Sequence, residues 1–178
     1  PPEVYTVYGM SSQLYSAPHL SLPALRASEG EVLVNNSASA RVDAVGELPD
    51  LAASQALCLP VHLTVTQPLS ADLKAAILIR NRFGGEIARA DAPFATANQR
   101  TTSQLAPGES AEAYPLIRLP YGTPPGSYEV LLRVYDEQIA PSGFDLASPQ
   151  ARFVAKDLLL GHWEVIPGAD WAAVDLKT

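Results

Sequence analysis

Proline placement constrains this chain more than any other feature. Sixteen prolines are spread along 178 residues, and each removes a backbone donor and ends or kinks any helix that it interrupts. A bundle of long helices is thereby excluded, and no apolar run approaches the roughly 18 residues that a membrane-spanning helix needs. Hydrophobic residues make up 47% and charged residues 17% of the chain, so apolar burial can offset chain entropy and wholesale disorder is excluded too. A loop-rich, all-β fold remains.

Strand signals punctuated by turns support that class. Val61-His62-Leu63-Thr64-Val65-Thr66 alternates apolar and polar side chains and ends at Gln67-Pro68-Leu69-Ser70. Ala75 to Arg80 is a nearly continuous apolar run, Gly84-Gly85 makes a hairpin turn, and Glu86 to Ala90 returns with alternation. These three segments read as a β-meander. After the Pro107-Gly108-Glu109 turn, Ala113 to Leu119 reads as a strand whose Pro115 belongs on an edge or at a bulge. Pro124-Pro125-Gly126 launches Ser127 to Tyr135, in which Tyr128, Val130, Leu132 and Val134 share the face expected to be core.

The segment from Asp136 to Pro149 reads as an irregular connection or loose hairpin. Ala151 to Val154 and His162 to Ile166 are closing strands, and Val4 to Tyr8, Glu31 to Val34 and Ala40 to Val45 are strands near the start. Asp50 to Leu57 is the one plausible short helix, with Asp50 as its N-cap. Short strands separated by regular turns predict an immunoglobulin-like, two-sheet antiparallel β-sandwich over residues 51–178. Residues 1–50 form an extension that adds strands or belongs to a preceding module.

The net charge of −7 opposes the phosphate backbone, which argues against nucleic acid and against an anionic membrane surface as partners. Both ends of the chain are acidic and the middle is nearly neutral, a pattern of a solubilising surface or of a weak cation-binding or partner-facing edge. Cys58 is the one cysteine, so no intrachain disulfide forms; within Leu57-Cys58-Leu59 it reads as a small buried hydrophobe. The opening Pro1-Pro2-Glu3 lacks an initiator Met and a basic-then-apolar leader, the look of a mature or excised piece.

Catalytic constellations do not emerge. His19, His62 and His162 are scattered without metal-ligand spacing, and His62 should face solvent or a neighbouring strand. Gly126-Ser127-Tyr128 lacks the second glycine and the helix of a nucleophile elbow, and no carboxylate pair is marked as a glycosidase pair. Calcium is the one cofactor worth weighing, through Asp136, Glu137 and Asp145 on one loop or Asp43, Glu47 and Asp50 on another, although neither set has the spacing of a dedicated calcium loop. For carbohydrate binding an exposed aromatic face is required: Trp163 shares a face with Val165 and reads as core, whereas Trp171 and Tyr121 are the possible ligand contacts. Tyr128, entering a strand just after a tight turn, reads as structural, its ring buried and its hydroxyl reaching back to an upstream carbonyl.

Pro68-Leu69-Ser70, the return strand from Gly84 to Asp91-Ala92-Pro93, Thr101-Thr102-Ser103 before Pro107-Gly108-Glu109, and Leu119-Pro120 leading to Pro124-Pro125-Gly126-Ser127-Tyr128 and Val134-Tyr135-Asp136 carry a likeness. On these residues the run from Leu63 to Asp136 resembles the immunoglobulin-like or fibronectin-like accessory domains of bacterial cell-surface proteins, and more narrowly those attached to multi-spanning, glycosyltransferase-like membrane proteins. Leu105 stands where that pattern usually has a Trp. The resemblance implies a non-catalytic, extracytoplasmic domain with a structural, spacing or protein-interaction role, its partners being other domains of the same surface protein or separate proteins. A carbohydrate-binding module is the alternative.

Overall fold

A computed structural model describes residues 4–7, 10–13, 33–34, 40–43, 51–52, 56–147 and 154–166. The first strands are β1 (Val4–Val7), β2 (Met10–Gln13), β3 (Leu33–Val34), β4 (Ala40–Asp43) and β5 (Leu51–Ala52). The chain continues through β6 (Ala56–Cys58), β7 (Val61–Val65), β8 (Lys74–Arg80), β9 (Glu86–Pro93), β10 (Ser110–Ala113) and β11 (Leu116–Arg118). It closes with β12 (Gly126–Tyr135), β13 (Leu146–Ala147), β14 (Val154–Ala155) and β15 (Leu158–Ile166). Among the described residues the one helical element is a 3₁₀ turn at Thr102–Gln104, so the fold is all-β.

The largest sheet has the order β5-β15-β12-β8-β9, antiparallel except where β5 joins β15. A second sheet, β10-β7-β4, is antiparallel throughout. Smaller pairings join β6 to β11, β3 and β14 to β13, and β1 to β2. The alternation of β7 sends Val61, Leu63 and Val65 inward, where they meet Ile77 and Ile79 of β8, Val130 and Leu132 of β12, and Trp163 of β15 in one apolar cluster. Two sheets therefore share a single core. Val34 also lies in that core, and β4 is hydrogen-bonded to β7, so residues of the 1–50 stretch complete the sheets.

Several expectations need correction. The meander fails because β7 pairs with β4 and β10, not with β8. Between β7 and β8 the chain crosses from one sheet to the other, and the buried Thr102 hydroxyl secures the crossing by donating to the Ala71 carbonyl at 2.7 Å while accepting from Leu73 N–H at 2.8 Å. The helix over Asp50 to Leu57 is also wrong. Leu51–Ala52 extends the edge of β15, and Ala56–Cys58 pairs with β11; open strand edges with unpaired backbone groups override a weak local helix preference. Asp50 lies outside the described residues.

The strand expected from Ala113 to Leu119 starts at Ser110 and breaks at Tyr114-Pro115. Proline has no N–H to donate, and here its carbonyl accepts from Leu59 N–H at 3.1 Å as the chain passes from a β7 pairing to a β6 pairing. After β12, Asp136 bridges to Ala140 in a tight turn, as a loose hairpin would, and β15 begins four residues before the expected His162.

Candidate functional site

Tyr128 and Trp163 stand directly opposite one another on β12 and β15. The Tyr128 hydroxyl donates to the Pro124 carbonyl at 2.7 Å, and its side chain is buried beneath the turn that precedes β12. That turn is held by Thr123, whose hydroxyl donates to the Pro120 carbonyl at 2.7 Å, and it needs glycine at position 122, where φ is +82°. Trp163 is fully buried, and its indole N–H has no hydrogen-bond partner among the described residues. Both aromatics are thus packed inside, with no face open to a ligand.

Tyr121 has the opposite character, with 93% of its surface exposed. It sits at the end of the large sheet where β8 leaves and β12 enters, the end that also carries Ile166 and, at the tip of the β8–β9 hairpin, Phe83. Phe83 is exposed too, and the Arg82 guanidinium lies 4.7 Å from its ring centre. Trp171 lies outside the described residues. Leu105, in place of the aromatic of the resembling pattern, is buried in the core.

The far end of the same sheet holds an open polar cleft of about 260 Å³ between Ser70, Asp72, Lys74, Ser103, Asp136 and Glu137. Its carboxylates are engaged. One oxygen of Asp136 accepts from the Gln138 and Ile139 N–H groups at 2.8 Å each, and Glu137 pairs with Lys74 at 2.5 Å. The Ser103 hydroxyl, with its N–H and Thr101 adding to it against slight burial, holds the Asp72 carboxyl below its usual range. Asp145 is exposed, and Asp136, Glu137 and Asp145 do not converge as calcium ligands. Of the second acidic set, Glu47 and Asp50 lie outside the described residues. Cys58 is half-buried, less enclosed than its neighbours implied; burial pushes its thiol pKa up, away from the reactive thiolate.

No local sequence signal marks the outward face of the large sheet. Ala76, Leu78 and Leu131 point away from the shared core, yet they are buried. In register with them are arginines of β8, β9 and β12: Arg133 stands opposite Ala76 and Arg89 opposite Leu78, with Arg80 at the end of β8; such side chains can lay their aliphatic stems on an apolar sheet while their heads pair at its rim. Arg133 makes two hydrogen bonds to Asp157, at 2.6 and 2.9 Å, and Arg80 reaches the same carboxylate. Arg89 pairs with Asp91 and lies 5.3 Å from the Tyr135 ring centre. Gly143, at φ +97°, makes room for these side chains: a Cβ there would lie 2.9 Å from Cγ of Arg133.

Burial pushes the Asp157 carboxyl up, but the hydrogen bonds from Arg133 and Arg80 outweigh it and leave its pKa below the usual carboxylate value. A carboxyl depressed in the folded state contributes stability that is present above the unfolded pKa of about 3.9 and is lost as pH falls through the folded value. Asp157→Asn should therefore cost about 1–3 kcal/mol at neutral pH. Below the folded pKa of Asp157 the difference from the parent should shrink. Urea unfolding measured across the acid limb checks this, and a penalty that stays constant with pH would show that the Asp157 charge is not involved. Comparison of the chain with protein-family models, with curated proteins and with solved structures finds no match to any of them.

Proposed function

We propose that this chain is a non-catalytic, immunoglobulin-like β-sandwich module that spaces domains or mediates protein contacts within a larger extracytoplasmic bacterial surface protein. The observation that carries this reading is the use made of its charged side chains. Asp157 ties two strands through Arg80 and Arg133, Asp136 caps a turn, and Glu109 holds both Arg100 and the Ala106 N–H. Groups that a catalytic site would leave available are spent here on strands and turns. The tyrosine corner at Tyr128 and the crossing between β7 and β8 support the immunoglobulin-like assignment within the all-β class. Among the described residues no helix is long and apolar enough to cross a membrane.

Carbohydrate binding is the second reading, favoured by one observation, the exposed ring of Tyr121. A glycan array separates the two. The expected result is no saturable binding by the chain while circular dichroism shows it folded and β-rich. Saturable binding that is lost in Tyr121→Ala or Trp171→Ala, with the fold kept, would replace the spacer reading with the carbohydrate-binding one.

A further inference from the structure

The polar cleft at the far end of the large sheet keeps acceptors that the fold does not use. One wall is the crossing segment from Ser70 to Lys74 together with Ser103, and the other is the turn from Asp136 to Ile139. Both walls are fixed from behind: the Thr102 hydroxyl bonds Ala71 and Leu73, and Ala140 N–H donates to the Asp136 carbonyl at 3.1 Å. Asp136 is only 8% exposed, and both of its side-chain contacts in the turn are made by Oδ1. Its Oδ2 has no hydrogen-bond partner among the described residues. Trp163 Nε1 is the one polar side-chain atom there that is sealed from solvent without a partner, so Oδ2 is open, and the opening that Asp136 lines is this cleft. Glu137 likewise spends Oε1 on Lys74 and leaves Oε2 free.

We propose that this cleft receives a single arginine side chain from a protein partner. This rests on the protein-contact role proposed for the chain and names the chemistry of the contact. Three carboxylates against the one ammonium group of Lys74 give the lining a net negative charge. A nearly buried carboxylate oxygen without a donor is stabilised by a cation that brings N–H groups to it. Lys74 already binds in this way: its ammonium group meets Glu137 at 2.5 Å, and the hydrogen bond raises its pKa. A metal ion fits less well, because among the described residues no three His, Cys, Asp or Glu gather closely enough to hold one. A guanidinium carries five donors in a planar fork and can serve acceptors spread along a wall. The volume of about 260 Å³ is below the roughly 300–1,000 Å³ of sites for drug-sized ligands, which is room for one side chain. Ile139, 60% exposed in the lining, offers an apolar surface to the methylene stem.

NMR titration of the isotope-labelled chain with a capped Gly-Arg-Gly peptide tests the site, with the citrulline peptide, neutral but of the same shape, as control. The expected result is saturable shifts of the Ser70 to Lys74, Ser103 and Asp136 to Ile139 amides with the arginine peptide and none with the citrulline one. Affinity should fall about fivefold in Asp136→Asn and in Glu137→Gln, the weight of one charged contact at a partly exposed site. Lys74→Gln should bind about threefold more tightly, because it removes the competing cation from Glu137, and a gain of affinity cannot come from a damaged fold. The amide spectra of the free variants show whether each is folded; Glu137 makes no bond within the turn, so its variant carries the test if Asp136→Asn unfolds. Absence of saturable shifts, saturation at another surface, equal binding of the citrulline peptide, or affinity unchanged in Glu137→Gln and Lys74→Gln overturns the proposal. None of these outcomes touches the spacer reading, which the glycan array decides.

Discussion

Trp163→Ala should be the most destabilising single substitution in the described part of this chain. Its side chain is fully buried opposite Tyr128, in the cluster where the two sheets meet. Removing a large aromatic from such a position costs about 3–5 kcal/mol, part of it lost transfer energy and part of it the cavity left behind. For a domain whose total stability is about 5–15 kcal/mol, that is a large share, and the melting temperature should fall on the order of 10 °C. Trp163→Phe should cost well under half as much. Phenylalanine leaves a smaller void and also removes an indole N–H that is buried without a partner, a group whose desolvation costs about 1–3 kcal/mol. Thermal unfolding of the two variants side by side decides the matter. Equal penalties would mean that the indole N–H finds a partner after all, and a melting temperature unchanged by alanine would place Trp163 outside the core.

What the sequence made legible was local. The period-two alternation of Val61 to Val65 and the inward pairing of Trp163 with Val165 need a few consecutive residues, and both segments are strands with those residues buried. The face of β12 built from Tyr128, Val130, Leu132 and Val134 is core for the same reason. What stayed hidden was non-local. Adjacent strands in sequence form a meander or cross between sheets according to contacts made elsewhere, and here the deciding hydroxyl belongs to Thr102, some thirty residues downstream of the crossing that it holds.

A further feature was illegible on the same grounds. The apolar run from Ala75 to Arg80 announces a strand buried on both faces, but nothing in it says that one face carries paired arginines; Arg133 and Asp157 come from distant segments. The helix expected from Asp50 to Leu57 failed differently: its local signal was weak, and the edges of β15 and β11 offered backbone pairing that a short helix does not match.

Tyr128 carries the second large effect, and its two substitutions separate packing from hydrogen bonding. Tyr128→Phe keeps the ring and removes the hydroxyl that donates to the Pro124 carbonyl at 2.7 Å; the expected cost is about 1–2 kcal/mol, because a carbonyl in a partly buried turn loses its donor. Tyr128→Ala removes the ring as well and should cost about 3–5 kcal/mol. Because Tyr128 faces Trp163 across the strands, the two alanine substitutions share a cavity and should not add. Denaturant unfolding of both single variants and the double variant checks this, with a coupling between about 0.5 and 3 kcal/mol expected. A Phe variant as stable as the parent would reduce the corner to a packing contact. Strict additivity in the double variant would show that the rings opposed in register do not support one another.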